Sequence, residues 1–199
     1  MSLSPEQLAQ LVAALRAGGV VACATETVFG LLADAQNPEA IERVIALKGR
    51  DPKQPIALLL PNVAALDLVA STVPQRARRL AERHWPGPLT LVVPARSGLP
   101  SPLTRDGKVG VRVPGQSPAL QLVQAFAAPL TATSANLTGQ PAARTYGQAL
   151  AAFPSGLAAI VAAPAPGGPV STVIDITGPN PVILRAGAVI LDPKDETPS

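Results

Sequence analysis

The chain has little of what several enzyme classes require: among its 199 residues are one cysteine, one histidine and only 3% aromatic residues. Cys23 alone cannot form an intrachain disulfide, and His84 alone leaves a typical zinc site short of ligands. A Ser-His-Asp or Cys-His catalytic arrangement would depend on that same histidine. We therefore predict no intrachain disulfide and no metal ion held by protein side chains.

Targeting and membrane signals are also lacking. The amino terminus has no basic segment followed by an apolar one, and the longest apolar runs are too short and too often broken by proline or glycine to cross a bilayer. The charge balance, 16 Lys and Arg against 13 Asp and Glu, permits an anionic partner without requiring one. We expect a cytoplasmic protein with no membrane partner.

The composition is that of a folded domain, with 47% hydrophobic and 15% charged residues. Short β-rich segments alternate with amphipathic helical ones, a pattern typical of an α/β domain with a mixed sheet and flanking helices. We predict one domain over residues 1–191. The polar tail at 192–199 is expected to fray.

Capping signals and hydrophobic periodicity locate the elements. Ser4 and Gln7 are spaced as a capping box around Pro5, and Gly18-Gly19 is expected to end that first helix. A second helix is predicted to begin at Asn37-Pro38. The remaining predicted elements are helices at Asn62–Ala70, Pro74–His84, Ser117–Ala127 and Thr145–Phe153, and strands at Val20–Thr25, Pro55–Leu60, Leu89–Pro94, Val109–Pro114, Leu130–Ser134, Ala159–Ala163, Thr172–Thr177 and Val182–Ala186.

Polar clusters lie where predicted strands or helices end, the positions at which α/β sheets expose side chains to ligands. Four of them are Thr25–Gly30, Lys48–Pro55, Val109–Pro114 with Arg112, and Thr131–Gly139 with Ser134 and Asn136. Each also has an ordinary structural explanation: a strand end, a helix C-terminus that favours cations, a solvated strand face, and a turn. The residues alone favour that explanation for the first cluster and leave the choice open for Arg112.

Nucleotide-binding glycine motifs are missing. Neither Gly-x-x-x-x-Gly-Lys-Ser/Thr nor a strand followed by Gly-x-Gly-x-x-Gly occurs in the chain. A nucleotide would therefore be bound without either loop.

Taken in order, the clusters resemble the YrdC-like family over nearly the whole chain. The matching segments are Thr25-Glu26-Thr27-Val28-Phe29-Gly30-Leu31, Lys48-Gly49-Arg50, Trp85-Pro86-Gly87-Pro88-Leu89-Thr90, Val111-Arg112-Val113-Pro114, Ser134-Ala135-Asn136, Ser171-Thr172-Val173 and Arg185-x-Gly187. The resemblance implies an open, twisted α/β sheet with a basic concave face. Because no second C-terminal domain follows, it implies the short form of the family.

An activity is implied as well: L-threonine, bicarbonate and ATP would give threonylcarbamoyl-adenylate and pyrophosphate, a threonylcarbamoyladenylate synthase reaction that begins the tRNA t6A37 modification. The carbamate formed from threonine must attack the α-phosphate of ATP, so two anions have to be brought together. Cations, fixed hydrogen-bond donors and alignment matter more for this step than a proton-transferring base. A chain with one histidine can meet that need.

The resemblance also assigns roles to individual residues. Mg²⁺ would accompany ATP and share the triphosphate charge, and Arg112 would serve either ATP or the threonine carboxylate. The implied roles are catalysis by Lys48 and Arg50, ATP binding by Arg50, Gln54, Arg112, Ser134, Asn136 and Arg185, and threonine binding by Thr27, Arg112 and Ser171.

Two alternative functions are considered beside the synthase. One is a non-catalytic module that binds double-stranded RNA or tRNA, which the small net charge of +3 and the few aromatic residues disfavour. The other is a carbamoyl-adenylate-dependent carbamoyltransferase like the YrdC-like domains of hydrogenase-maturation proteins, whose zinc-finger and acylphosphatase segments are missing here. A synthase would have downstream threonylcarbamoyl-transferase proteins as partners, and tRNA is a further possible contact.

Overall fold

The computed structural model describes residues 2–163 and 165–192. The helices within these residues are α1 (Pro5–Arg16), α2 (Pro38–Lys48), α3 (Leu66–Val69), α4 (Gln75–His84), α5 (Pro118–Phe126) and α6 (Tyr146–Ala152). The strands are β1 (Val21–Ala24), β2 (Phe29–Leu32), β3 (Ala57–Leu59), β4 (Leu89–Pro94), β5 (Lys108–Arg112), β6 (Leu130–Ser134), β7 (Ala159–Ile160), β8 (Thr172–Asp175) and β9 (Val182–Arg185).

Local capping determines where the first two helices begin and end. The Ser4 hydroxyl accepts a hydrogen bond from the Gln7 amide at 3.1 Å, and the Gln7 side chain accepts one from the Ser4 amide at 2.9 Å, which confirms the capping box. The Asn37 side chain caps α2. Gly49 ends α2 with a φ of 57°, a left-handed conformation that favours glycine. The turn at Gly49 sends Lys48 and Arg50 in different directions.

The strands form one mixed sheet in the order β7-β1-β2-β6-β3-β5-β4-β8-β9. The pairs β1–β7, β3–β5 and β4–β8 are parallel, and the other neighbours are antiparallel. The predicted single-domain α/β fold with a mixed sheet is therefore confirmed. Its two edges within the described residues are β7 and β9.

Three parts of the predicted element list need correction. β2 was not predicted, because a four-residue apolar run containing a glycine has no alternating pattern. The helix predicted at Asn62–Ala70 is a 3₁₀ turn at Val63–Ala65 followed by the short α3. β7 stops at Ile160, three residues before the predicted end of that strand.

The core is built mainly from Ala, Val, Leu and Ile side chains on the strands and on the inner faces of the helices. Cys23 is fully buried within it, and burial raises the pKa of its thiol, as expected for a small core residue and not for a nucleophile. None of the helices in the described part of the chain is long and apolar enough to cross a membrane. Residues 193–199 of the predicted tail lie outside the described residues.

Candidate functional site

A cavity of about 680 Å³ lies on one face of the sheet, a size that suits a small-molecule ligand. Alternate residues of neighbouring strands line it, as the period of two along a strand requires. On β5 these are Lys108, Gly110 and Arg112. A Cβ atom on Gly110 would lie 3.3 Å from the Cβ of Ala57. The lack of a side chain at Gly110 therefore leaves space in the cavity at this position.

Five cationic and two anionic side chains line this cavity: Arg50, Arg105, Lys108, Arg112 and Arg185, with Asp106 and Asp175. Lys108 Nζ lies 2.7 Å from Asp175 Oδ2, so these two charges neutralise each other. Although burial acts to raise it, hydrogen bonds from Lys108 and Thr177 hold the pKa of Asp175 below its usual value. The predicted basic character of the whole concave face stays a prediction.

Arg50 reaches the cavity and is held there by the loop that follows α2. Its Nε donates to the carbonyl oxygen of Gln54 at 3.2 Å, and its Nη2 donates to that of Pro55 at 3.0 Å. Burial lowers its pKa, but a guanidinium remains charged at neutral pH. The side chain of Gln54 is exposed outside the cavity lining. Gln54 thus supports Arg50 through its backbone carbonyl.

Lys48 lies behind the cavity and does not line it. It is only 3% exposed, because it shares the inner face of α2 with Ile41 and Val44. Its Nζ donates to the carbonyl oxygens of Ser134 at 2.6 Å and Asn136 at 2.9 Å, and to Asn136 Oδ1 at 3.0 Å. Burial and the nearby Arg50 charge lower the pKa of Lys48 to about 8. Lys48, to which the resemblance assigns a catalytic role, is therefore buried beside the cavity lining and is not part of it.

Ser134 and Asn136 form a turn whose side chains line the cavity. The Ser134 hydroxyl donates to Asn136 Oδ1 at 2.5 Å, and Asn136 Nδ2 donates to the carbonyl oxygens of Leu137 and Gln140 at 3.0 and 2.6 Å. The turn therefore satisfies its own polar groups, as the structural explanation predicted. Both Nδ2 hydrogens of Asn136 are used within the protein, and the Ser134 hydroxyl oxygen keeps acceptor capacity.

The segment between β1 and β2 is a tight turn and does not continue as extended strand. The Thr25 amide donates to the Val28 carbonyl at 3.1 Å, and the Thr25 hydroxyl accepts from the amides of Thr27 and Val28. The hydroxyl oxygens of Thr25 and Thr27 lie 3.0 Å apart. Thr27 is 6% exposed and lines the cavity, where the sequence predicted it, although a turn brings it there.

Ser171 and Arg185 are in direct contact at the β8–β9 end of the cavity. Arg185 donates from Nε to the Ser171 carbonyl at 3.0 Å and from Nη2 to the Ser171 hydroxyl at 2.8 Å. The Thr90 hydroxyl lies 3.0 Å from that of Ser171. Burial lowers the pKa of Arg185. A Cβ on Gly187 would lie 2.2 Å from the Val170 carbonyl oxygen, so a glycine is required for the segment after β9 to pack this closely against residues 170–172.

Arg112 forms an ion pair with Glu26 across the cavity wall. Its Nη1 lies 3.0 Å from Glu26 Oε1, and Arg112 as a whole is 8% exposed. Burial and the Arg185 charge lower the pKa of Arg112, while the Glu26 carboxylate opposes that shift. Arg112 thus faces the cavity and not bulk solvent. Sequence reasoning gave Glu26 no role, although its place between two threonines in a recognised motif was a usable signal.

Most of the sequence-predicted site residues meet in this cavity. Those that line it are Thr27, Arg50, Arg112, Ser134, Asn136, Ser171 and Arg185; Lys48 and Gln54 do not. Thr90, Lys108 and Asp175 line it without having been predicted. In the part of the chain that the structure describes, His, Cys, Asp and Glu residues form no cluster of three or more that could hold a metal ion.

These features define an α/β protein whose sheet carries a cavity lined by five cationic and two anionic side chains. Residues 13–187 match the Sua5/YciO/YrdC family model, described as "Telomere recombination". The chain belongs to this family.

Curated and solved relatives agree with that assignment. The chain is 36% identical over 187 residues to the threonylcarbamoyl-AMP synthase of Pyrococcus abyssi (strain GE5 / Orsay), covering 89% of this chain and 53% of that protein. It is 34% identical to the protein of the same name from Bacillus subtilis (strain 168), covering 95% and 56%. It superposes on P. abyssi Sua5 complexed with L-threonine with a TM-score of 0.88 at 33% identity, covering 94% and 56%. The chain spans about half the length of these relatives.

Proposed function

We propose that this chain catalyses the synthesis of threonylcarbamoyl-AMP and pyrophosphate from L-threonine, bicarbonate and ATP. The observation that carries the proposal is the convergence of Arg50, Arg112 and Arg185 from distant parts of the chain on one cavity. The polar residues Thr27, Ser134, Asn136 and Ser171 line the same cavity. Relatives at 34–36% identity carry the name of this enzyme, which supports the assignment.

The cationic groups that line this cavity suit a reaction between two anionic reactants. The threonine amine attacks the bicarbonate carbon and water is expelled, which gives a carbamate. A carbamate oxygen then attacks the α-phosphate of ATP and expels pyrophosphate. Both reactants are anions, so the barrier includes their mutual repulsion. Fixed guanidinium groups lower that barrier because they need no reorganisation when the anions meet. Alignment of the two reactants supplies a further part of the rate enhancement.

We assign ligand roles as the family resemblance implies. Arg50, Ser134 and Asn136 lie near the ends of α2 and β6, and we assign them to ATP together with Arg185, which contacts Ser171 at the β8–β9 end of the cavity. Thr27 and Ser171 are small hydroxyl residues that suit the threonine substrate. Arg112 lies in ion-pair contact with Glu26 and serves one of the two anionic substrates. Gln54 and Lys48 act from outside the cavity lining, Gln54 through Arg50 and Lys48 through the Ser134–Asn136 turn.

Mg²⁺ enters this scheme as part of the MgATP substrate. The two carboxylates that line the cavity are Asp106 and Asp175, and Asp175 is already paired with Lys108. The described residues therefore offer no ready-made protein site for the ion, and ATP phosphate oxygens are its natural ligands. We infer that the product passes to downstream threonylcarbamoyl-transferase proteins that modify tRNA. We also propose that the chain acts in the cytoplasm.

Pyrophosphate release tests the proposal. The purified chain is mixed with MgATP, and pyrophosphate is followed with threonine alone, with bicarbonate alone and with both. The proposal requires release only when both are present. Release that needs neither would indicate simple ATP hydrolysis. No release, together with tRNA binding that weakens steeply with salt, would instead favour the RNA-binding alternative.

A further inference from the structure

The Glu26–Arg112 pair has an unusual geometry for a buried ion pair. Both side chains are largely buried, with exposed fractions of 14% and 10%. The contact is a single hydrogen bond from Arg112 Nη1 to Glu26 Oε1. Arginine and carboxylate can form two parallel hydrogen bonds, which is the stronger arrangement. In this pair, Nε and Nη2 of Arg112 donate to none of the described residues.

The surroundings of Glu26 are shaped to hold it in this position. Gly115 packs against it so closely that a Cβ there would lie 2.9 Å from Glu26 Cγ. The second carboxylate oxygen, Oε2, is buried and accepts no hydrogen bond from the described residues. An unsatisfied buried oxygen destabilises the fold. The arrangement is therefore not the one that stability alone would favour.

The charges around Arg112 explain how the ion pair with Glu26 stabilises the buried guanidinium. Arg112 is buried on a sheet face that also carries Arg185, and both burial and that neighbour disfavour its positive charge. A single carboxylate, from a residue that does not line the cavity, offsets this cost without occupying the remaining donors. A bidentate partner would leave fewer donors for a ligand. The one-point contact holds the guanidinium in place and leaves it available.

We infer that Glu26 is a positioning residue, which fixes the Arg112 guanidinium so that its remaining donors bind an anionic substrate in the cavity. The inference rests on the proposed function, since it takes ATP or L-threonine as the ligand of Arg112. Glu26 itself does not line the cavity. It therefore acts only through Arg112.

The experiment is a double-mutant cycle read by direct binding. The full chain and its variants Glu26→Ala, Arg112→Met and the double variant are titrated with MgATP and with L-threonine separately by calorimetry. Glu26→Gln tests the loss of charge with little change of shape. Glu42→Gln, an exposed position on α2, is the matched control. Near-ultraviolet circular dichroism establishes that each variant is folded. If Glu26→Ala does not fold, Gly115→Ala takes its place, because its methyl group displaces the carboxylate without removing it.

We expect Arg112→Met and Glu26→Ala to weaken the binding of the same ligand, either MgATP or L-threonine, by about tenfold. The reason is that each substitution removes one member of the buried ion pair. The double variant should be no weaker than Arg112→Met within about twofold, since coupled residues are not additive. Glu26→Gln should fall in between, and Glu42→Gln should match the native chain.

Other outcomes overturn the inference. They are normal binding by the Glu26 variants, an equal loss for both ligands, or a further loss when Glu26→Ala is added to Arg112→Met. A native chain that binds neither ligand would overturn the proposed function and this inference together. Normal native binding with an unaffected Glu26→Ala variant would overturn the inference alone.

Discussion

The ammonium group of Lys48 donates to both the carbonyl oxygen and the side-chain Oδ1 of Asn136, at 2.9 and 3.0 Å. A third donor reaches the Ser134 carbonyl at 2.6 Å. In return, the amide and hydroxyl of Thr138 donate to the Lys48 carbonyl at 2.9 and 3.1 Å. The C-terminal end of α2 thus holds the 134–138 segment against the cavity through both its side chain and its backbone.

Removal of the Lys48 donors should therefore affect both the fold and the cavity. We expect Lys48→Met to lower the free energy of unfolding by about 1–3 kcal/mol, because buried acceptors lose their partner. ATP affinity should fall as well, since Ser134 and Asn136 are no longer fixed. Urea unfolding and ATP titration measure the two effects. Lys53→Met, at an exposed position on the following loop, is the control. An unfolding free energy equal to that of the control would show that Lys48 does not hold this segment.

We also expect the pKa of Lys48 to lie below the ordinary value for lysine. Burial, followed by the Arg50 charge, lowers the pKa of Lys48 from 10.5 to about 8. Because the folded value lies below the unfolded one, the folded state carries a penalty for the charged form below pH 8. That penalty is relieved as pH rises from 8 to 10.5, so the contribution of Lys48 to the unfolding free energy increases over that window.

Carbon-13 NMR of lysine Cε atoms measures this directly. The resonance that disappears in Lys48→Met should titrate with a midpoint near 8. A Lys48 midpoint at the ordinary value would refute the proposed burial of the charge.

Arg50 should behave differently from Lys48 although only one residue separates them. Arg50 lines the cavity and Lys48 does not. We expect Arg50→Met to weaken ATP binding about tenfold or more, because a charged hydrogen-bond donor to phosphate is lost. The free energy of unfolding should change less than in Lys48→Met. Arg16→Met, at the exposed end of α1, should leave both unchanged. Equal destabilisation by Arg50→Met and Lys48→Met would contradict the division of roles.

The sequence predicted the parts of the fold that depend on neighbouring residues. The capping box at Ser4 and Gln7 and the helix start at Asn37 were correct because their hydrogen bonds are local. β4 and β6 were located to the residue, since apolar runs bounded by turn residues define them. β2 was missed because its pairing with β1 and β6, and not its own pattern, makes it a strand.

The sequence predicted several residues that line the cavity, but not which polar side chains face it and which are buried behind it. Motif resemblance identified Arg112 and Arg185, and both line the cavity. The burial of Lys48 depends on acceptors 86 and 88 residues away along the chain, which no local pattern reveals. Glu26 was missed for a similar reason, because its partner Arg112 is 86 residues distant. Tertiary contacts decide which polar residues face a ligand and which support it.

Gly187 gives a further prediction at the other end of the cavity. A Cβ there would lie 2.2 Å from the Val170 carbonyl oxygen and 2.6 Å from the Ser171 carbonyl carbon, and these backbone atoms cannot move aside easily. We expect Gly187→Ala to cost about 1–3 kcal/mol of unfolding free energy through overpacking and to displace Arg185. Thermal unfolding and ATP titration are the measurements. Gly178→Ala, where the nearest atom is 3.8 Å away, is the matched control. Equal unfolding free energies and equal ATP affinities of the two variants would show that Gly187 is not closely packed against residues 170 and 171.

The most direct test of the proposed reaction is mass spectrometry of its product. The chain is incubated with MgATP, L-threonine and carbon-13 bicarbonate. We predict threonylcarbamoyl-AMP that is one mass unit heavier than with ordinary bicarbonate and that disappears when any one substrate is omitted. Pyrophosphate formation without that labelled mixed anhydride would contradict it.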